Sequence, residues 1–139
     1  MKIVKFAVIC VAGLLFNGCA NPNIRYIPKM ASEDAKGVTM VDKTPKNCKS
    51  LGDIEGSDSS MEGNVGMLWV ILNDIREGAF NDLKNKAVYA AGRSKYVSLR
   101  IIEEQALCYE GQTLVACPPK AFAAHVYRVK AQVFDCGEK

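Results

Sequence analysis

Residues 74–92 read DIREGAFNDLKNKAVYAAG, and the fold turns on this stretch. Ile75, Ala79, Leu83, Ala87 and Ala90 recur at four- and three-residue spacing, which places them on one stripe of an α-helix. Arg76, Asp82, Lys84, Asn85 and Lys86 fall mostly off that stripe. Asp74 followed by Glu77 has the pattern of a capping box, and Gly92 supplies a left-handed stop. Alanines on the apolar stripe let such a helix lie close against a sheet.

Outward from the helix, both flanks read as strands. On the C-terminal side, residues 96–102 (YVSLRII) are β-branched and aromatic. Residues 121–134 (AFAAHVYRVKAQVF) end in alternation, with Val126, Arg128, Lys130 and Gln132 opposed to Tyr127, Val129, Ala131 and Val133. That is the pattern of a half-buried antiparallel strand. On the N-terminal side, residues 38–41 (VTMV) are a short strand candidate and residues 42–47 a turn around Pro45. Residues 48–56 (CKSLGDIEG) read as a short strand with a bulge or bend at its glycines. Residues 57–66 (SDSSMEGNVG) read as a loop. Residues 67–72 (MLWVIL) are continuously apolar, and periodicity cannot decide between a buried strand and a lead-in to the helix. The order is strand, strand, helix, strand, strand. It predicts an α+β fold: a single small antiparallel or mixed sheet with one helix packed on a face.

The first residues have a different character. Lys2 and Lys5 precede an apolar run over residues 6–16 (FAVICVAGLLF), and the small Gly18 stands before Cys19. This is the layout of a secretory signal. Eleven apolar residues fall short of the roughly 20 that span a bilayer. Residues 15–19 (LFNGC) resemble a bacterial lipobox, with Phe16 where Leu is usual and Asn17 in place of Ala or Ser. The resemblance implies cleavage before Cys19 and lipidation of its thiol. Ala20, rather than Asp, follows; in enteric-type lipoproteins this implies sorting to the outer membrane, with the domain facing the periplasm. The expected organisation is residues 1–18 as lipoprotein signal peptide, 19–36 as lipidated N-terminus and tether, and 37–139 as the periplasmic domain.

Of the six cysteines, Cys10 leaves with the signal and Cys19 carries lipid. Cys48, Cys108, Cys117 and Cys136 remain, an even number in a small exported domain, which argues for disulfides. Three pairings are open. Chain order favours Cys108 with Cys117, pinning the loop between the last two long strands, and Cys48 with Cys136, tying the second strand to the chain's end. The competing Cys₄ zinc site lacks any C-x₂-C spacing, so no metal or other cofactor is expected.

The chain carries a formal charge of +3, and loss of Lys2 and Lys5 brings it to +1. A near-neutral domain has no electrostatic case for nucleic-acid binding. The apparent basicity belongs to the export segment.

Three stretches carry a further likeness. Residues 48–56 resemble the C-x-x-L-G-x-V-x-G opening of a family of small Gram-negative outer-membrane lipoproteins of unknown function. Residues 76–87 resemble that family's helix, and residues 126–136 its last strand. The layout is also similar to the sensor lipoprotein of the Rcs phosphorelay, with its Leu-Gly strand, helix and two disulfides. The likeness implies a compact α+β domain. Signalling does not follow from it, because the cysteines here are differently placed.

Chemistry-bearing residues are few. His125 is the sole histidine, so any Ser-His-Asp or Cys-His arrangement would have to use it. Glu103 and Glu104 are adjacent acids near a strand end, and no phosphate-binding glycine pattern occurs. Met67, Leu68, Trp69 and Val70 are core if buried, which is the favoured reading for Trp69, and a partner patch if exposed. The expectation is therefore a non-enzymatic envelope lipoprotein that reaches the membrane through Cys19 and binds envelope proteins in sensing or assembly. The alternative is a small periplasmic hydrolase or cell-wall-binding module, which requires His125, Glu103 and Glu104 to converge in one cleft.

Overall fold

A computed structural model of the chain describes residues 26–60 and 69–137. Cys19, Met67 and Leu68 lie outside the described residues. The elements are β1 (Thr39–Met40), β2 (Lys49–Ser59), β3 (Val70–Ile71), α1 (Leu72–Ala90), β4 (Val97–Glu110), β5 (Thr113–Ala116), β6 (Ala123–Ala124) and β7 (Val126–Asp135), with a 3₁₀ turn at Asp34–Gly37. The class is α+β, as the pattern predicts, but the strand layout is richer than a single sheet of four strands. The main sheet runs β1-β4-β7-β2, and β5 adds to β4. Leu107 pairs with Val126 on one side and Ala116 on the other, so β5 and β7 lie on opposite edges of β4. β1 joins β4 in parallel, and β7 is antiparallel to both β4 and β2. β3 and β6 form a separate two-stranded sheet.

The alternation of β7 sets the layers. Tyr127, Val129, Ala131 and Val133 are buried under α1, whereas Arg128 and Lys130 face outward. α1 returns Ile75, Ala79, Leu83, Ala87 and Val88 to the core. Ala90, read as part of the stripe, is exposed, because the helix ends there. Its stop is the one expected: Gly92 has φ +61°, and Arg93 donates its N–H back to the Val88 carbonyl. Its start is not. The helix begins at Leu72, ahead of the Asp74–Glu77 pattern, with no side-chain cap. The Leu72 N–H instead donates to the Phe122 carbonyl at 2.9 Å, so the β3–β6 ribbon satisfies one of the helix's orphan donors.

β2 extends through Ser57–Ser59, which read as loop. It bulges between Ser50 and Gly52 and pairs with β7 along its length. As an edge strand it leaves backbone groups open, and side chains close them. Asp82 accepts from the Ser57 N–H, Lys29 Nζ donates to the Ser57 carbonyl, and Lys86 Nζ donates to the Glu55 carbonyl. β4 likewise outruns its predicted end, turning at Gly111 (φ +65°) into β5.

The stretch from Tyr26 is fixed along α1. The Tyr26 hydroxyl donates to buried Asp58, whose carboxylate lies against Gly78. Asn81 donates to the Lys29 carbonyl, and Asn85 bonds both Met30 and Ser32. Successive residues of this segment thus meet successive turns of the helix, and the two run in the same direction.

Both cysteine pairs sit at bonding distance in the favoured combination. Cys48 and Cys136 join the start of β2 to the end of β7 (S–S 2.05 Å), and Cys108 and Cys117 tie β4 to the segment after β5 (S–S 1.99 Å).

Candidate functional site

A concave feature with an apolar lining lies beside the small sheet. Trp69, Cys108, Pro118, Pro119, Phe122 and Ala123 are among the residues bounding a groove of about 630 Å³, with Lys120 at its wall. The double proline shapes one side. Pro has no N–H to pair and fixes φ, so residues 118–119 leave the ladder after the disulfide and turn the chain back into β6. The other side is Trp69, which enters β3.

Under Trp69 sits His125, buried between β6 and β7. Its ring centroid is 3.9 Å from that of Trp69 and 5.5 Å from that of Tyr109, edge-on. Its backbone bridges two strands: the N–H donates to the Leu107 carbonyl and the carbonyl accepts from the Ser60 N–H. The Tyr109 N–H donates to Nδ1 at 3.1 Å. That bond leaves the neutral imidazole's proton on Nε2. Burial lowers the pKa below its ordinary 6.5. The stabilisation that goes with neutral His125 is complete above 6.5 and is lost as pH falls below that value, where the unfolded chain takes up the proton first.

Trp69 is the chain's sole tryptophan, so it reports on this ring directly. Its emission is expected to fall as His125 protonates, with a midpoint below 6.5, and to stay flat over the same range in His125→Gln. A midpoint at or above 6.5 would contradict the buried environment described.

The residues singled out from sequence separate. Trp69, expected in the core, is instead 63% exposed, while Val70 beside it is buried and pairs with Ala124. The apolar run therefore splits at the strand's alternation. Phe122 (84% exposed) and Ile71 (61%) join Trp69 on the surface; neither was singled out, although the Pro-Pro pair preceding Phe122 marked an irregular segment.

Glu103 and Glu104 are on opposite faces of β4. Glu103 pairs in register with Lys130 on the open face, where Glu55, Gln105 and Arg128 also gather. Glu104 turns under α1: Arg76 Nε donates to it at 2.7 Å and the Tyr127 hydroxyl at 2.8 Å, and the Arg76 guanidinium lies 4.4 Å over the Phe80 ring. Burial pushes the Glu104 pKa up, but the hydrogen bonds from Arg76 and Tyr127 outweigh it and the net shift is downward. The hydrogen bond to Glu104 raises the Arg76 pKa. This network fastens helix to sheet. Neither acid bonds His125, whose ring partners are Trp69 and Tyr109, so the three residues of the hydrolytic alternative do not share a cleft.

Among the described residues, no group of three or more His, Cys, Asp or Glu is arranged to hold a metal ion, and no helix is long and apolar enough to cross a membrane. No protein-family model, curated protein or solved structure matches the chain.

Proposed function

We propose that the chain is a non-enzymatic, lipid-anchored protein of the bacterial cell envelope, with its α+β domain in the periplasm serving as a binding module in sensing or assembly. The observation that carries the reading is the pairing of a lipobox-like Cys19 with two disulfides downstream. Disulfides persist in oxidising compartments such as the periplasm, and the signal layout of residues 1–18 leads there. The groove at Trp69 is the module's binding surface. It is apolar and exposed, and it adjoins His125, whose ring, among the described residues, meets Trp69, Tyr109 and the Tyr109 N–H rather than a carboxylate that would orient it for general-base chemistry.

Metabolic labelling with radioactive palmitate tests the anchor. The wild-type product is expected to carry label and to fractionate with the outer membrane. Cys19→Ser is expected to lose the label and stay with the unprocessed precursor. A wild-type product without label overturns the reading.

A further inference from the structure

We infer that the groove's exposed Trp69 and Phe122, with Ile71 beside them in β3, seat in the interfacial layer of the membrane to which the chain is anchored. The inference rests on lipidation at Cys19 and adds what the module's binding surface meets: phospholipid.

Three observations converge on it. The first is direction. Tyr26 meets Asp58 and Gly78, whereas Met30 and Ser32 meet Asn85. The chain therefore enters the domain at the helix's N-terminal half. Gly78 is only about 9 Å along the axis from Leu72, at 1.5 Å per residue, and Leu72 directly follows Ile71. Asp58 is two residues before Ser60, whose N–H bonds the His125 carbonyl beneath Trp69. Entry point and groove are thus at one end of the fold.

The second is reach. Seven peptide steps separate Cys19 from Tyr26, and a fully extended chain covers about 25 Å over that distance. A domain tied this closely presents its entry end to the lipid surface, and that end holds the groove.

The third is composition. Trp69, Ile71 and Phe122 are 63%, 61% and 84% exposed, and Ile27, next to Tyr26, is 73% exposed. Apolar groups gathered at one end cost free energy in water and gain it in an acyl boundary. Tryptophan favours the headgroup level, where its ring is buried and its N–H still finds a partner. Lys120, on the groove wall, can extend its ammonium to phosphate while its methylenes stay with the acyl region.

The sole tryptophan makes the test direct. Full-length protein purified from membranes is weighed by mass spectrometry for its acyl groups. It is then reconstituted at pH 8 into phosphatidylethanolamine–phosphatidylglycerol vesicles with either plain or brominated acyl chains. Bromine quenches only nearby indole. The acylated protein is expected to lose about half its emission in brominated vesicles, with the maximum shifted to the blue. Phe122→Ser, whose side chain is solvent-facing and leaves the core untouched, is expected to lose much of that quenching while staying anchored. An acylated protein with equal emission in both vesicles overturns the inference and leaves the anchor standing; the groove would then face a protein. A product without acyl groups overturns the anchor, and the inference with it.

Discussion

Replacing Cys48 and Cys136 together by serine is expected to lower stability by about 4–5 kcal/mol, more than the loss of the second disulfide. The disulfide closes a loop spanning 88 positions, and in the chain-entropy picture the cross-link stabilises by restricting the unfolded ensemble, with a gain that grows as the logarithm of loop length. Cys108–Cys117 closes a loop spanning only nine, for which the same relation gives about 2.5–3 kcal/mol. Domains of this size have total stabilities of roughly 5–15 kcal/mol, so the first loss approaches the whole of a marginal one. Native contacts argue the same way. Cys136 follows β7, whose last residues pair with the first of β2 and with Val97 at the start of β4. Without the bond, the ends of three strands fray together. Urea unfolding of both double-serine variants decides it. The Cys48/Cys136 variant should show the lower midpoint and the steeper dependence on urea, because its unfolded chain exposes more surface. A smaller loss than in the Cys108/Cys117 variant would contradict this account.

The staple pairing and the helix face were legible in the sequence because each is local or combinatorial. Four cysteines allow few partners, and a 3.6-residue period needs only its own residues. The alternation of β7 was legible for the same reason, and its outward Arg128 and Lys130 and inward Val129 and Ala131 are where the pattern put them. What was missed depends on residues distant in the chain. Ser57–Ser59 have the composition of a loop but are strand because β7 pairs with them, and because Asp82 and Lys29 close the edge from 25 and 28 residues away. The helix starts early because a carbonyl at Phe122, far along the chain, receives the Leu72 N–H. Trp69 lies in an unbroken apolar run, and nothing in that run distinguishes the residue that faces water from Val70, which does not. That choice is made by the register of β3 on β6. The candidate site inherits this. Its members are set by tertiary pairing, so sequence pointed to Trp69 and His125 singly and never to their contact.

Gly56→Ala is expected to destabilise the domain by about 3 kcal/mol, although it adds a single methyl group to a strand. The reason lies in how close α1 comes to β2. A Cβ at position 56 would stand 2.5 Å from both Cβ and the backbone nitrogen of Leu83 and 2.6 Å from the Ala79 carbonyl oxygen. Two of these three atoms are helix backbone, so no rotamer change relieves the contact; the helix must lift off the sheet. Lifting it loosens Leu83, Ala79 and Ile75, all fully buried, and pulls on the bonds that close the β2 edge, one accepted by Asp82 from the Ser57 N–H and one donated by Lys86 to the Glu55 carbonyl. Gly56 is not in the left-handed region, so backbone strain contributes nothing and the effect isolates packing. Gly37 provides the control: a Cβ there meets nothing within 4 Å, and Gly37→Ala should stay within about 0.5 kcal/mol of wild type. Thermal and urea unfolding of the two variants would separate them. Equal stabilities would mean that the helix is not seated at the distance described, and that the glycine following Ile54 and Glu55 has some purpose other than admitting the helix.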